Sequence, residues 1–218
     1  MTELEKILTD ISVDTLPLLE LEGAFDKIAV ELLRNTRLVA GESTFLIKEI
    51  EFYFDSVHYR HHDPYAHSNQ YKTEPRQAEF GEWYFHRFKT PAAYLKNKHR
   101  GLDITFGNKR YMNYGGILIR QIENIGTNKC TEGISNIVKE IIDNIGIEEV
   151  ARLATEKGKF VFDSASPLRL EVHSNSLNAP IYKGKRHNIF YPESEEEMKY
   201  FEKYYRYFNH LDAKLVAQ

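Results

Sequence analysis

Residues 46 to 54 read Leu-Ile-Lys-Glu-Ile-Glu-Phe-Tyr-Phe, an apolar and aromatic run that predicts a β-strand. Because successive side chains of a strand point to opposite faces, alternate residues are predicted to share one side: Phe45, Ile47, Glu49, Glu51 and Tyr53. Two carboxylates within such a run need either solvent or a specific partner. The run by itself indicates an edge strand with both glutamates in solvent, whereas the remaining segments favour a functional interpretation of Glu51.

The composition is that of a globular protein. The chain has 218 residues, of which 42% are apolar and 28% charged, and this length suits one domain with a sizeable core. No apolar run is long enough to cross a bilayer, and residues 1–10 lack the features of a signal peptide. We therefore expect a cytoplasmic protein, nucleoid-associated if bacterial, with no membrane contact. The single Cys130 excludes an intrachain disulfide and argues against redox chemistry.

Charges of opposite sign are segregated along the chain. The net charge of −3 argues against indiscriminate binding of polyanions, but a local basic face could still bind nucleic acid. An acidic block occupies Glu193 and residues 195–197. The basic residues gather in other segments: Lys96, Lys98, Arg100, Lys109, Arg110, Lys183, Lys185 and Arg186. A mixed, solvated surface is the alternative explanation of each cluster.

The pattern of apolar residues predicts an α+β fold, a single domain in which helices flank a curved antiparallel sheet. Helical spacing predicts helices at 4–11, after Pro17, at 134–142 and at 147–154. Runs rich in β-branched and aromatic residues predict the strands: 45–54, 83–88, 102–106, 116–122, 160–162 and 168–172. The tail at 198–208 fits either a helix or a strand.

Four histidines lie close together in the sequence, at His58, His61, His62 and His67. Imidazole is a good ligand for zinc or iron, but this segment has no helical His pair with an acidic partner and no Cys/His spacing. Polar-pocket or surface histidines are therefore favoured over a metal site. The chain also lacks a nucleophile elbow, a Walker loop and a dinucleotide-binding loop.

Several segments, in the correct order, resemble the methylpurine (3-methyladenine, or alkyladenine) DNA glycosylase family. Residues 46–53 resemble its Glu-Thr-Glu-Ala-Tyr motif, and the Asp-Pro-Tyr-Ala-His-Ser of 63–68 is similar to its Asp-x-Ala-Ala-His-Ser. The Gly-Glu-Trp-Tyr-Phe-His of 81–86 is similar to its Gly-x-x-Tyr-Val-Tyr strand. The Ile-Leu-Ile-Arg-Gln-Ile-Glu of 117–123 is similar to its Leu-Leu-Arg-Ala-Leu-Glu.

Weaker likenesses extend the resemblance at both ends of the chain. Residues 29–39 resemble the family's opening helix, and residues 183–188 and 203–208 resemble its last basic strands. The resemblance covers about residues 25–210 of a single domain that spans 1–218. Residues 1–24 would form an N-terminal helical extension.

The resemblance implies a monomeric DNA glycosylase that extrudes a modified base from double-stranded DNA and hydrolyses its N-glycosidic bond. Glu51 falls on the family's general base, and Arg120 falls on the arginine that holds the water and keeps the carboxylate ionised. A carboxylate also stabilises the oxocarbenium-like transition state of such a reaction. Since no lysine falls on the attacking position, a monofunctional enzyme that leaves an abasic site is implied. It needs neither a cofactor nor a metal.

The base pocket is implied at Tyr53, His67, Tyr84, His86 and Asp103. Planar rings at such positions stack on the extruded base, and buried core aromatics are the alternative for each. The family has a tyrosine in place of His86 and an asparagine in place of Asp103. An ionised aspartate only accepts hydrogen bonds, so Asp103 favours a base with an amine, such as a modified cytosine or adenine.

The segment between His86 and Asp103 is longer than the family's, and a residue of this segment would fill the gap that the extruded base leaves. Phe88, Tyr94 and Leu95 are the candidates for this wedge, and a surface loop with buried aromatics is the alternative. The full set of expected DNA contacts combines aromatic and basic residues: Phe88, Tyr94, Lys98, Arg100, Lys185, Arg186 and Arg206.

The expected role is therefore DNA repair or defence against viruses with modified DNA. Two alternatives stay open at this point. One is a noncatalytic reader that binds extruded modified bases in the same pocket. The other is a metal-dependent enzyme that uses the histidines from His58 to His67.

Overall fold

A computed structural model describes residues 1–67, 76–88, 90–92, 100–155, 160–173 and 178–210 of the chain. The main helices are α1 (Glu3–Ser12), α2 (Leu21–Val30), α3 (Ile134–Ile145), α4 (Ile147–Thr155) and α5 (Glu195–Phe201). The long strands are β1 (Thr36–Ala40), β2 (Ser43–Ser56), β4 (Phe80–Phe85), β5 (Leu102–Phe106), β6 (Asn113–Asn124) and β8 (Leu168–Val172). The short strands are β3 (His61–His62), β7 (Cys130–Glu132), β9 (Tyr182–Gly184) and β10 (Arg206–Phe208).

The strands form one large antiparallel, open sheet, so the α+β class expected from the sequence is confirmed. Its principal order is β4-β5-β6-β2-β1-β8. Strand β2 is central: β6 pairs along one edge, whereas β1, β10 and β3 pair in succession along the other. This arrangement brings the C-terminal strand β10 beside Glu49 and Glu51. No helix in the described ranges is long and apolar enough to cross a membrane.

Two matched irregularities change the faces of β2 and β6. Between the pairs Ile47–Ile122 and Ile50–Ile119, each strand contains one residue without a direct partner, namely Lys48 on β2 and Arg120 on β6. Such bulges re-aim the side chains that follow them. The predicted sharing of one face by five alternate residues is therefore wrong.

The result is two distinct faces on β2. Phe45 and Ile47 pack in the main core with the residues that follow the bulge at even positions: Ile50, Phe52 and Phe54. Glu49, Glu51 and Tyr53 point the other way, since their side chains bond to groups outside this core. The bulge thus lets an apolar strand present three consecutive odd-numbered residues to a polar site.

The N-terminal helices cover the core side of the sheet. Helix α1 begins at a capping box formed by Thr2 and Glu5, and buries Leu4, Leu8 and Ile11. From α2, Phe25 stacks on Phe52 with ring centroids 4.5 Å apart. The helical extension expected at 1–24 is therefore packed into the same core as the sheet.

Most predicted elements are present. The strand expected at 83–88 lies at Phe80–Phe85, and three further segments differ. Residues 36–40 form β1 and not the end of the opening helix, because a π turn at Glu31–Asn35 ends the helical segment. Residue 160 makes only an isolated bridge to Glu82, so no strand forms at 160–162. The ambiguous tail contains both a helix and a strand, α5 and β10, and its acidic block is the first turn of α5, where negative charge is favourable.

Candidate active site

A row of alternating charges runs across the polar face of β2. Arg206 donates two hydrogen bonds to Glu49, at 2.7 and 3.0 Å. Arg120 Nε lies 3.3 Å from Glu49 Oε1, and Arg120 Nη1 lies 3.1 Å from Glu51 Oε2. The side chain of Arg120 therefore links the two carboxylates, and each guanidinium faces at least one anion.

Glu51 lies at the end of this row and is fully buried. Its Oε2 accepts hydrogen bonds from the Tyr53 hydroxyl at 2.8 Å and from Arg120, and its Oε1 accepts one from the His187 backbone N–H at 2.7 Å. Burial raises the pKa of Glu51 above its ordinary value and outweighs Arg120, the His187 N–H and the Tyr53 hydroxyl, which all lower it. The resemblance implies that Arg120 keeps this carboxylate ionised. Arg120 does act in that direction, but desolvation is the larger effect.

A second buried ion pair supports the aromatic wall beside Glu51. Arg186 donates from both terminal nitrogens to Asp63, and both side chains are wholly buried. The guanidinium carbon lies 4.7 Å from the centre of the Tyr53 ring and 5.1 Å from that of Tyr65. The pair therefore holds the two rings in place.

A pocket of about 660 Å³ opens next to this cluster. Three of the five predicted pocket residues, Tyr53, His67 and His86, line it. Glu51 lies behind the wall that its partners Tyr53, Arg120 and His187 form. Glu51, whose pKa is raised, is thus separated from an aromatic-lined pocket only by the residues that bond to it.

His67 and His86 share one wall of the pocket, with Tyr84 behind them. Their ring centroids are 4.4 Å apart, and the Tyr84 ring stacks on His86 at 4.6 Å while its hydroxyl lies 3.0 Å from His67 Nδ1. Burial, together with the neighbouring His86, lowers the pKa of His67 to about 3. His67 is therefore a neutral ring at physiological pH.

The structure places Asp103 behind His86 and outside the pocket lining, which corrects its expected direct contact with a base. The carboxyl is fully buried, and Gln77 Nε2 donates to its Oδ2 at 2.8 Å. His86 Nε2 is 2.8 Å from its Oδ1, although the two atoms are not aligned for a hydrogen bond. The absence of a side chain at Gly116 makes room for the hydrogen bond from Gln77 to Asp103, since a Cβ there would lie 2.6 Å from Asp103 Oδ2. Asp103 therefore reaches the pocket only through His86 and Gln77.

Three of the expected DNA contacts are buried away from the pocket lining. Phe88 is 3% exposed and belongs to the main core, so it is not presented as a wedge. Arg186 and Arg206 are 5% and 3% exposed, and each is paired with a carboxylate, so neither is presented to a phosphate. The wedge role of Phe88 and the phosphate contacts of Arg186 and Arg206 are therefore corrected. For the two arginines, the sequence shows the basic charge but not its buried partner.

The other expected DNA contacts have different positions. Lys185 is exposed and forms an ion pair with Glu202. Arg100 is buried and lines the pocket. Tyr94, Leu95 and Lys98 lie outside the described residues.

The clustered histidines do not converge on one point. His61 is buried between the Phe54 carbonyl and the Tyr205 hydroxyl, at 2.7 and 2.8 Å, whereas His62 lies beside Asp55 and His58 beside Asp14. His67 faces the pocket. Among the residues that the structure describes, no three His, Cys, Asp or Glu side chains are placed to share a metal ion. This geometry does not support the alternative of a metal-dependent enzyme built on this segment.

Several residues of the site were not expected from the sequence. Glu49 holds Arg120, His187 binds Glu51 through its backbone, and Gln77 and Tyr65 line the pocket. The basic segment 183–188 was the one available signal for His187. For Gln77 the sequence offers no comparable signal, since the residue lies in a short 3₁₀ helix, Arg76–Ala78, with no motif around it.

Comparisons with known proteins leave the function open. No protein-family model matches the chain. The chain is similar to an uncharacterized protein of Acanthamoeba polyphaga mimivirus, with 29% identity over 199 residues, which cover 85% of this chain and 86% of the viral protein. The likeness therefore extends over most of both chains, and the function has to be inferred from the geometry of the site.

Proposed function

We propose that the protein is a monofunctional DNA glycosylase that hydrolyses the N-glycosidic bond of a modified nucleotide extruded into the pocket. The observation that carries the proposal is the fully buried Glu51, which bonds to Arg120 and Tyr53 immediately behind an aromatic pocket. A raised pKa suits a general base, and a buried carboxyl group with a shifted pKa beside a pocket is a candidate for a functional group. The resemblance of the segments around Glu51 and Arg120 to methylpurine DNA glycosylases supports the same reaction.

In the proposed reaction, Glu51 removes a proton from a water molecule. The water oxygen then bonds to the sugar C1′ while the bond from C1′ to the base nitrogen breaks, and the departing base takes the electron pair. The carboxylate and the low-dielectric surroundings stabilise the positive charge that develops on the sugar. Because the Tyr53 hydroxyl and Arg120 cover Glu51 Oε2, nucleotide binding must displace one of them before water reaches that oxygen.

The rings around the pocket suit a planar ligand. Tyr53, Tyr65, His67 and His86 all line it, and stacking on such rings contributes about 1–3 kcal/mol per base. That gain offsets much of the few kcal/mol needed to extrude a nucleotide. A neutral His67 also avoids repelling a protonated or alkylated base.

We further propose that the substrate is a modified cytosine or adenine, in repair or in defence against viral DNA. Asp103 does not reach the pocket, so its effect on the base edge passes through Gln77 and His86, which it contacts. An amide and an imidazole can each donate or accept a hydrogen bond, so they can read an amine-bearing edge. The extra length between His86 and Asp103 supports a substrate other than the family's usual alkylpurines.

The test is a base-release assay on duplexes that carry modified cytosines, modified adenines or alkylpurines. We expect abasic sites with a modified cytosine or adenine. Release of alkylpurines alone would reject the proposed substrate, and release from none of the duplexes would reject the glycosylase.

A noncatalytic reader is the second candidate, because both carboxylate oxygens of Glu51 already accept hydrogen bonds from within the protein. Glu51→Gln separates the two functions. If the protein is a glycosylase, Glu51→Gln should still bind the modified duplex but no longer release the base. If it is a reader, neither the unmodified protein nor Glu51→Gln should release the base, and the two should bind equally.

A further inference from the structure

The side-chain amide of Gln77 is held between two partners at the wall of the pocket. Gln77 belongs to the 3₁₀ helix Arg76–Ala78 and lines the pocket, although only 1% of its surface is exposed. Its Oε1 accepts a hydrogen bond from the His67 backbone N–H at 2.8 Å, and its Nε2 donates one to Asp103 Oδ2 at 2.8 Å. The amide therefore joins His67 to strand β5.

These partners determine which end of the amide is the nitrogen. A backbone N–H only donates, so the His67 N–H requires the oxygen of Gln77, and an ionised aspartate only accepts, so it requires the nitrogen. A flipped amide would place its oxygen against the Asp103 carboxyl oxygen and its N–H against the His67 N–H. The space for this arrangement comes from Gly116, where a Cβ would clash with Gln77 Nε2. The orientation of the amide is therefore fixed.

Part of the hydrogen-bonding capacity of Gln77 is unused. A glutamine amide has two N–H donors and two lone pairs on its oxygen. In the part of the chain that the structure describes, the bonds to His67 and Asp103 are the only hydrogen bonds of the Gln77 side chain. One N–H and one lone pair are left, next to each other on a buried group, and buried polar groups are rarely left without a partner. A ligand in the pocket is the partner that both can reach.

A fixed amide can distinguish cytosine from uracil. In cytosine the amine N4 donates and the adjacent ring nitrogen N3 accepts, whereas in uracil the carbonyl O4 accepts and the ring N3–H donates. The N6 amine and N7 of adenine form the same pattern as cytosine, and a glutamine amide can bond to both atoms at once. An amide that is free to flip matches cytosine and uracil equally, but a fixed amide matches one of them.

The nitrogen is the end of the Gln77 amide nearer to Glu51. Nε2 lies against Gly116 of β6, and β6 is the strand that pairs with Glu51 on β2. Oε1 is bonded instead to His67, which belongs to no strand. In the proposed complex the sugar faces Glu51, and N3 of cytosine is closer to the sugar than N4 is. N3 therefore meets the nitrogen of the amide, and the N4 amine meets its oxygen.

We propose that Gln77 selects a modified cytosine over the corresponding uracil, and that Asp103 is the positioning residue that holds its amide in the selective orientation. The remaining Nε2–H donates to N3, and Oε1 accepts from the N4 amine. The proposal rests on the proposed function in placing a base in the pocket with its sugar towards Glu51, but it applies to a glycosylase and to a reader alike. It gives the fully buried carboxyl of Asp103 a role in recognition, although Asp103 does not line the pocket.

The test compares 5-hydroxymethyl-2′-deoxycytidine with 5-hydroxymethyl-2′-deoxyuridine, which differ only at this edge, by calorimetric titration of the full-length protein. The uridine would place donor against donor and acceptor against acceptor, so the cytidine should bind at least about tenfold more tightly. Equal binding of the two nucleosides, tighter binding of the uridine, or binding of neither would overturn the role of Gln77.

Gln77→Met removes the amide and keeps a side chain of similar length, so it should abolish the preference for the cytidine. The matched control is Gln121→Met, which removes a buried amide outside the pocket lining and should keep the preference. A merely structural role of Gln77 would lower stability without changing the ratio of the two affinities. A preference that persists in folded Gln77→Met would assign the selection to another residue.

A measurement on the unmodified protein keeps the proposal testable if Gln77→Met does not fold. The two Nε2 protons of Gln77 give separate resonances in a nitrogen–proton correlation spectrum. The proton on Asp103 should move little when the cytidine binds, whereas the second proton should shift downfield because it gains an acceptor. If the cytidine binds and neither resonance shifts, Gln77 does not contact the base.

The outcomes for Gln77 and for the glycosylase are separate. Failure of the base-release assay with a preserved preference for the cytidine would reject the glycosylase and leave Gln77 as the specificity residue of a reader. Release of a modified cytosine together with equal binding of the two nucleosides would reject the role of Gln77 alone.

Discussion

The two faces of β2 differ in what holds them together. The apolar face, with Ile50, Phe52 and Phe54, is stabilised by hydrophobic packing. The polar face, with Glu49, Glu51 and Tyr53, is stabilised by ion pairs and hydrogen bonds. The apolar face needs only neighbours of suitable volume. The polar face needs partners at defined distances, and these come from far along the chain: Arg120, His187 and Arg206. The core packing and the proposed chemistry therefore depend on alternate residues of one strand.

Adjacent substitutions at positions 51 and 52 should separate the two faces most sharply. Glu51→Gln removes the proposed base and should slow release about 10²- to 10⁴-fold, while folding is kept because burial already disfavours the charged carboxylate. Phe52→Ala should instead lower the free energy of unfolding by about 3–5 kcal/mol. Single-turnover kinetics measure the rate of base release, and urea denaturation measures the free energy of unfolding, in both variants. An unfolded Glu51→Gln protein, or a folded but inactive Phe52→Ala protein, would show that the faces are not separable.

Arg186→Gln should behave as a core substitution, although it removes a basic residue. It leaves the buried Asp63 without its charge partner, which costs about 3–5 kcal/mol of unfolding free energy. The adjacent and exposed Lys185→Gln is the matched control and should leave the denaturation midpoint nearly unchanged. If Arg186→Gln were stable and only weakened DNA binding, the structural role of Arg186 as the buried partner of Asp63 would be wrong.

The pH dependence of release should report the environment of Glu51. The proposed reaction requires the ionised carboxylate, so release should decline as the pH falls through a pKa higher than the ordinary value of 4.5. Arg120 lowers the pKa of Glu51, so Arg120→Gln should move this acid limb to higher pH. Single-turnover rates across pH, with Arg110→Gln as control, measure the shift. If the acid limb lay at the ordinary pKa of a glutamate in both the unmodified protein and Arg120→Gln, the buried position of Glu51 would be contradicted.

His67 should affect the pH dependence of stability, in addition to its proposed contact with the base. Its pKa falls from about 6.5 in the unfolded chain to about 3 in the folded protein, so the unfolded chain binds more protons between these values. The stability due to the neutral buried ring is thus complete above pH 6.5 and is lost as the pH falls towards 3. His67→Asn should remove this dependence, whereas the exposed His62→Asn should keep it. Urea midpoints measured across this pH range would run parallel for all three proteins if His67 were exposed.

The same contrast explains what the sequence could predict. Periodic apolar residues locate α1 and α3, and the bounds of β5 and β8 agree with those expected at 102–106 and 168–172. Strand β1 was missed because it follows the helical segment directly, without a glycine or proline between them. The faces of β2 could not be predicted, since the bulges at Lys48 and Arg120 carry no glycine that would indicate them.

The site was predictable where its residues lie within short sequence motifs, as Glu51, His67 and Arg120 do. Glu51 and Tyr53 are close in sequence and share a hydrogen bond, so a local motif includes both. The bond from His187 to Glu51 joins residues 136 positions apart, and Arg186 is buried by a partner 123 positions away. A side chain's charge is visible in the sequence, whereas its burial depends on contacts at such distances.

A crystal structure of the Glu51→Gln variant with a duplex that contains 5-hydroxymethylcytosine would test the central claim most directly. The predicted result is an extruded nucleotide with its base against Tyr53, His67 and His86 and its sugar C1′ facing residue 51. Fully paired DNA, or DNA bound on another face while the pocket holds no nucleotide, would contradict the proposed active site.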